Sequence, residues 1–255
     1  VQDLVLRYSS DAPDVLKKIS FDAPPGSKLA IVGPTGSGKS SLFQALQRLV
    51  EPRSGRVIID GQDLSKIDLH DLRSRLYFVP QDPVILSGTL RSVLDVMNEF
   101  TDEEIYASLR AVRLVADDRT SFTNLDMPIG ENGNNLSLGE RQLLCVARAL
   151  LHKSRVVLFD EASSSIDHTT DSQLTQCIHD VFKDSTVLTI AHRLRTVIGY
   201  DRILFLHQGR IVETGTPAAL LSDKTSHFYR LCKKTGSSEL QHLIKEAQQT
   251  AQRHD

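Results

Sequence analysis

Residues 33–40 read Gly33-Pro34-Thr35-Gly36-Ser37-Gly38-Lys39-Ser40, which has the spacing G-x-x-x-x-G-K-[ST]. A β-prone run, Lys28-Leu29-Ala30-Ile31-Val32, precedes this motif, and apolar residues at helical spacing follow it over 41–50. The glycines allow successive backbone N–H groups to turn toward one anion, and the helix that follows adds its positive N-terminal end. The sequence therefore predicts a strand, a phosphate-binding loop and a helix, with Lys39 reaching the β- and γ-phosphates of a nucleotide and Ser40 binding Mg²⁺.

Two adjacent carboxylates follow another apolar run. Val156-Val157-Leu158-Phe159 is typical of a buried strand, and Asp160-Glu161 comes directly after it. By themselves these acids could be two solvated residues in a surface turn. Together with the phosphate-binding loop they indicate the second half of one site, in which Asp160 holds the metal and Glu161 orients and deprotonates an attacking water.

The order of the patterns predicts the fold class. A third apolar run, Thr186-Val187-Leu188-Thr189-Ile190, shows no polar alternation, which is typical of parallel strands buried on both faces. Helical patterns dominate between about 84 and 150, where Thr101 and Glu104 have the spacing of a capping box. We expect an α/β fold with a helix-covered parallel sheet and a helical subdomain inserted at about 84–150.

The C-terminal part shows a hairpin pattern and then helices. Apolar runs flank His207-Gln208-Gly209, and Thr216-Pro217 then begins a short helix with proline in its first turn. The spacing of apolar residues in the tail, 236–255, predicts an amphipathic helix. This helix docks either on its own domain or on a partner, and we favour the first. Its apolar stripe consists of Leu240, Leu243, Ile244, Ala247 and Ala251.

Composition excludes several other classes of protein. The length of 255 residues suits one mixed α/β domain, and a formal net charge of −2 gives no reason to expect a nucleic-acid partner. The three cysteines are widely spaced and indicate neither a disulfide framework nor a zinc site. No apolar run approaches the ~20 residues of a membrane span. Because the chain begins at Val1, we expect that it comes from a longer polypeptide whose missing part lies upstream.

The segment Asn135-Leu136-Ser137-Leu138-Gly139-Glu140-Arg141-Gln142 resembles the signature sequence of ABC ATPases, usually written LSGGQ. Other motifs of that family follow in its order. Gln81 resembles the Q-loop glutamine, Ser164-Ser165-Ile166-Asp167 the D-loop, and His192 the switch histidine. Tyr8, 31 residues before Lys39, resembles the A-loop aromatic that stacks on adenine. The resemblance covers roughly residues 1–235.

This resemblance implies a P-loop NTPase fold with a RecA-like core, an N-terminal antiparallel β portion and an inserted helical subdomain. It also implies binding of ATP and Mg²⁺. The implied catalytic residues are Glu161, His192 and Gln81, and the implied metal ligands are Ser40, Gln81 and Asp160. The residues implied to contact ATP are Tyr8, Gly33, Pro34, Thr35, Gly36, Ser37, Gly38, Lys39, Ser40, Ser41, Ser137, Gly139 and Asp167, of which Ser137 and Gly139 would lie closest to the phosphate of the nucleotide held by a paired cassette.

Within the superfamily, Gln81-Asp82-Pro83, Ser87-Gly88-Thr89 and Ile129-Gly130-Glu131-Asn132-Gly133 resemble exporter cassettes. The chain is most similar to the C-terminal, second cassette of the C subfamily, the multidrug-resistance-associated group. The resemblance implies ATP-dependent pairing with a second cassette in the same full-length chain. It also implies transmembrane domains as partners, a place on the cytosolic face of a membrane, and organic anions or conjugates as cargo.

The signature departs from the family pattern at two positions. Leu138 replaces the second-position glycine and Glu140 replaces the glutamine, so a negative charge lies near the expected phosphate unless a capping box with Ser137 engages it. Two alternative functions stay open: a regulatory cassette of a channel-type C-subfamily protein, and a soluble ABC ATPase. The presence of Glu161 and His192 argues against the first. Among soluble ABC ATPases, the DNA-repair type carries a long coiled coil between the phosphate-binding loop and the signature. The gap of 97 residues between Lys39 and Leu136 is too short to contain it.

Overall fold

The computed structural model describes residues 1–115, 122–160, 178, 180–191 and 193–254. They form two compact units, one of Val1–Leu76 with Thr186–Asp255 and the other of Tyr77–Ser185. Three predicted site residues, Glu161, Asp167 and His192, lie outside the described residues.

The described strands and helices are numbered in chain order. The strands are β1 (Gln2–Leu6), β2 (Leu16–Ile19), β3 (Lys28–Val32), β4 (Ser54–Arg56), β5 (Ile58–Ile59), β6 (Gln62–Asp63), β7 (Leu76–Val79), β8 (Gly88–Thr89), β9 (Pro128–Ile129), β10 (Val156–Asp160), β11 (Thr186–Ile190), β12 (Arg202–His207) and β13 (Arg210–Gly215). The helices are α1 (Lys39–Leu46), α2 (Leu69–Arg75), α3 (Leu90–Leu94), α4 (Asp102–Ala111), α5 (Leu138–Leu151), α6 (Leu194–Val197), α7 (Pro217–Ser222), α8 (His227–Lys233) and α9 (Ser237–His254). None of the described helices is both long and apolar enough to span a bilayer.

The first unit contains two of the three predicted parallel strands, β3 and β11. β3 lies between β11 and β12 and is parallel to both, while β13 runs antiparallel along β12. All five residues of β3 are buried, as expected for a strand covered on both faces. The loop at 33–38 leaves the carboxyl end of β3, and α1 follows it. The predicted order of strand, loop and helix is thus confirmed, although α1 ends at Leu46 and not near residue 50.

The N-terminal antiparallel β portion belongs to the same unit. β1 pairs with β2 on one side and with β4 on the other, both antiparallel. A separate two-residue hairpin joins β5 and β6. Tyr8 follows the end of β1 by two residues. The position of this antiparallel sheet therefore determines where the Tyr8 side chain lies relative to α1.

The second unit carries the helical subdomain. α4 and α3 pack against α5, and β10 lies beside β7. Thr101 caps α4, and its capping box with Glu104 is present as the sequence predicts. β8 and β9, a two-residue antiparallel pair, were not expected from the sequence. A strand of two residues is too short to show periodicity.

The tail forms α9 and packs on its own unit. Leu240, Leu243 and Ala247 are buried in a cluster with residues of α7 and α8, while Ala251 is exposed. Arg195, in α6, forms two side-chain hydrogen bonds with Glu239. Most of the apolar stripe of α9, with the exception of Ala251, is therefore covered within the first unit, in agreement with the favoured prediction of docking on its own domain.

Candidate functional site

The phosphate-binding loop presents an open helix N-terminus. Gly38 is the N-cap of α1 with a left-handed φ of 106°, and it has no side chain to cap the helix. The first-turn N–H groups of a helix have no partner within the helix. At this N-terminus the positive end of the helix dipole attracts an anion.

Lys39 places its ammonium group over this loop. The side chain is almost entirely buried, and its Nζ donates to the carbonyl oxygens of Gly33 at 2.9 Å and Pro34 at 3.1 Å. Beside it, the buried Oγ of Ser37 has no hydrogen-bond partner among the described residues, and the Ser40 side chain is exposed. The loop thus combines one cation with hydroxyl and backbone donors, which suits a nucleotide polyphosphate.

Tyr8 is held beside α1 by its hydroxyl group. Its Oη lies 2.8 Å from Ser41 Oγ and donates to Gln44 Oε1 at 2.7 Å. The side chain is nevertheless 53% exposed. The hydroxyl is therefore anchored on the helix that begins in the loop, while the ring surface stays open to solvent. A planar base could stack on such a ring.

The signature segment begins α5 in the second unit. Ser137 is the N-cap, and its Oγ accepts a hydrogen bond from Glu140 N at 3.2 Å. Glu140 Oε2 accepts in return from Ser137 N and Ser137 Oγ, both at 2.8 Å. The predicted capping box is present. The carboxylate that departs from the family pattern is therefore engaged by the helix cap, and Ser137 remains exposed.

α5 is anchored at its other end. The ring of His152, its C-cap residue, stacks on Tyr77 with centroids 5.5 Å apart, and Arg148 Nε donates to Val93 O at 2.9 Å. Burial lowers the pKa of His152, so its imidazole is neutral near pH 7. These contacts fix the helix that presents Ser137.

Gln142 is a residue that sequence analysis did not single out. It lies in α5, is only 2% exposed, and its Nε2 donates to Gln81 O at 2.8 Å. The backbone of the predicted Q-loop glutamine is therefore tied to the signature helix, while the Gln81 side chain is exposed. The sequence signal for this contact was the amide side chain of Gln142, which stands among apolar residues on the buried face of α5.

The candidate metal ligands lie in both units. Ser40 belongs to the first unit, and Gln81 and the half-buried Asp160, the last residue of β10, belong to the second. Their hydroxyl, amide and carboxylate oxygens suit Mg²⁺, which binds through few protein ligands together with phosphates and water. The described residues contain no group of three or more His, Cys, Asp or Glu that could enclose a metal.

The structure therefore brings the predicted residues together in two sets. Tyr8, the loop at 33–40 and Ser41 are adjacent in the first unit. Gln81 and the helix of Ser137 and Gly139 are linked in the second. The roles assigned to Glu161, Asp167 and His192 stay predictions.

Comparison with known proteins identifies the family. Residues 16–164 match the family model described as ABC transporter. ABC transporter C family member 13 of Oryza sativa subsp. japonica is 50% identical over 229 residues, which are 90% of this chain and 15% of that protein. The ATP-dependent bile acid permease of Saccharomyces cerevisiae is 41% identical over 261 residues, 94% of this chain and 16% of that protein. The chain thus spans about one sixth of the length of these relatives.

A solved structure described as a bacterial Atm1-family ABC exporter with ATP bound agrees with the fold. The TM-score is 0.84 at 32% identity, and the match covers 92% of this chain and 41% of that chain. The predicted α/β P-loop NTPase fold is confirmed. The family model matches more than half of the chain, and C-family transporters are among the relatives of the chain. The chain therefore belongs to the ABC transporter family as a cassette of the C-family type.

Proposed function

We propose that the chain binds ATP at residues 33–41 and hydrolyses it with Mg²⁺, and that this reaction drives transmembrane transport by a longer protein. The observation that carries the proposal is the phosphate-binding loop itself, with the uncapped start of α1 and the Lys39 ammonium held over it. The names of the relatives, a C-family transporter and an ATP-dependent permease, support the link to transport.

The residues of this chain divide the chemistry between them. Lys39 and the loop N–H groups bind the β- and γ-phosphates, and Ser40, Gln81 and Asp160 would hold Mg²⁺, which would supply positive charge to neutralise the phosphates. Glu161 orients the attacking water and accepts its proton, and His192 contacts the γ-phosphate. The exposed Gln81 side chain and the position of Asp160 at a strand end support these assignments.

Completion of the site requires a second cassette. Ser137 and Gly139 act on the nucleotide held by the partner, and Asp167 also contacts ATP, in a head-to-tail pair that closes around two ATP molecules and excludes water. The N-terminus of α5, where Ser137 is exposed, suits that phosphate because the positive end of the helix dipole attracts an anion. Engagement of Glu140 in the helix cap supports this role, because both of its hydrogen bonds through Oε2 go to Ser137.

We extend the proposal to the whole protein. Residues 1–235, with the helical subdomain inserted at about 84–150, form the cassette, and 236–255 form its C-terminal helical tail. The cassette lies on the cytosolic face of a membrane, is the second cassette of its chain, and works with transmembrane domains that carry organic anions or conjugates. A regulatory role and a soluble ABC ATPase are not favoured by relatives named as transporters and a permease.

Concentration dependence of hydrolysis tests this proposal. The 255-residue chain should bind ATP·Mg²⁺ as a monomer but hydrolyse it slowly, because the signature that completes its site lies on another copy. Turnover per molecule should rise with protein concentration, measured as phosphate release between low and high micromolar chain. A fast rate that is independent of concentration, from a monomer proven by sedimentation, would contradict the two-cassette model.

Two substitutions of Tyr8 distinguish stacking of its ring on adenine from the hydrogen bonds that its hydroxyl group forms with α1. Tyr8→Ala removes the ring and should weaken ATP binding about 5–10-fold, the effect of losing one aromatic stack of roughly 1–1.5 kcal/mol. Tyr8→Phe keeps the ring and loses only the hydrogen bonds to Ser41 and Gln44, so it should change the Kd by less than about threefold. Titration of each variant with ATP by calorimetry measures both effects. Equal affinities for the alanine variant and the parent would refute the stacking role.

A further inference from the structure

The turn between β12 and β13 packs against the phosphate-binding loop. His207 and Arg210 are paired, and the two residues between them, Gln208 and Gly209, have φ values of 48° and 78°. Two central residues with positive φ define a type I′ hairpin turn. The turn lies in the first unit, in the same compact body as the loop.

Backbone contacts join this turn to the loop. Gly209 N donates to Ser37 O at 3.0 Å, and Lys17 N donates to Gly209 O at 2.8 Å. The carbonyl of Leu206, just before the turn, lies so close to Gly33 that a Cβ on Gly33 would come within 2.0 Å of it. The hairpin therefore touches the loop at Gly33 and at Ser37.

The hydrogen bond to Ser37 determines the direction of a neighbouring donor. Ser37 C=O and Gly38 N–H belong to one planar trans peptide, so they point in opposite directions. Because the carbonyl points at Gly209, the N–H of Gly38 points away from the hairpin, and under the proposed function it faces the bound phosphate. Rotation of this peptide would turn an N–H group away from bound phosphate.

No side chain can be accommodated at position 209. A Cβ on Gly209 would lie 2.1 Å from Val15 O, a backbone atom that itself belongs to the chain leading into β2. Any other residue must displace the turn, and the turn carries the donor to Ser37.

We propose that Gly209 is a positioning residue of the nucleotide site, which holds the phosphate-binding loop in its binding conformation through the β12–β13 turn. This inference rests on the proposed function, since it assigns Gly209 to the ATP site. It predicts a loss of nucleotide affinity from a substitution in a turn with no assigned contact to ATP.

The chain offers a matched control for this test. Gly61 lies in the β5–β6 hairpin with φ 78°, after Asp60 with φ 50°, so it occupies the same position of the same type of turn. No heavy atom of the described residues beyond its chain neighbours lies within 4 Å of a Cβ at Gly61. Gly61→Ala therefore introduces the same backbone strain without a contact to the loop.

ATP·Mg²⁺ titrations of the parent, Gly209→Ala and Gly61→Ala decide the inference. Gly209→Ala should raise the Kd by about tenfold or more, as expected when one hydrogen bond to a charged group is lost. Gly61→Ala should stay within about twofold of the parent, although the strain of a left-handed alanine should lower its Tm by roughly 2–4 °C. At saturating ATP, turnover of Gly209→Ala should return close to that of the parent. A Kd for Gly209→Ala equal to that of Gly61→Ala would overturn the positioning role.

Hydrogen exchange of the parent chain provides a test that does not depend on folding of a variant. ATP·Mg²⁺ should slow amide exchange in the segment 206–210 together with 36–40, and leave the segment around Gly61 unchanged. Protection of 36–40 alone would overturn the inference and leave the proposed function intact. Failure of the parent to bind ATP, by contrast, would contradict the proposed function itself.

Discussion

Replacement of Lys39 with alanine should abolish productive ATP binding, with a rise in the Kd of at least about 100-fold, because charge-assisted hydrogen bonds to the β- and γ-phosphates are lost. The fold should survive. The ammonium now donates to the carbonyls of Gly33 and Pro34, which line a partly exposed loop and can bind water in its place. Calorimetric titration with ATP·Mg²⁺ measures the affinity, and circular dichroism checks the fold.

Two further variants isolate the charge of Lys39. Lys39→Met keeps most of the buried side-chain volume, so a loss of binding equal to that of the alanine variant assigns the effect to the ammonium group and not to a cavity. Lys224→Ala removes an exposed lysine outside the site and should change the Kd by less than about twofold, because distant surface charges are screened. Parent-like ATP affinity in both Lys39 variants would show that the phosphate-binding assignment is wrong.

Replacement of Glu161 with glutamine should lower steady-state hydrolysis by roughly 10²–10⁴-fold, the usual contribution of general-base assistance. The amide keeps the size of the side chain but cannot accept the proton of the attacking water. ATP affinity should stay level or improve, since Asp160 and the loop are intact and one negative charge near the γ-phosphate is gone. Phosphate release measures the rate, and ATP-dependent pairing of the chain, followed by sedimentation, should increase because the closed pair no longer turns over.

Glu103→Gln is the matched control for this substitution. Glu103 is an exposed acid in the first turn of α4, and the same change of charge there should leave turnover within about twofold of the parent. Near-normal hydrolysis by Glu161→Gln would rule out Glu161 as the base and would favour the regulatory function that the sequence left open.

Local patterns were sufficient to predict the loop, the longer buried strands β3, β10 and β11, and the capping boxes of Thr101 and Ser137. Lys28 to Ser40 encode a buried strand, a glycine-rich turn and a helix start at fixed spacing, and each depends on neighbours within a few residues. Ser137 and Glu140 likewise form a capping box across one helical turn, so the fate of the unusual Glu140 carboxylate could be anticipated. The family motifs then predict which of these local features bind nucleotide.

Contacts between residues far apart in the chain were decided only by the tertiary structure. The hydroxyl of Tyr8 reaches Ser41 and Gln44, and Gln142 binds the backbone of Gln81. The turn at Gly209 supports the phosphate-binding loop although more than 170 residues separate it from Ser37. A glycine in a hairpin pattern predicts only a turn, because the steric need for that glycine arises from Val15, which folding brings against it. The spacing of residues along the sequence determines which secondary structure a segment forms. Tertiary packing determines which distant segments it contacts and supports.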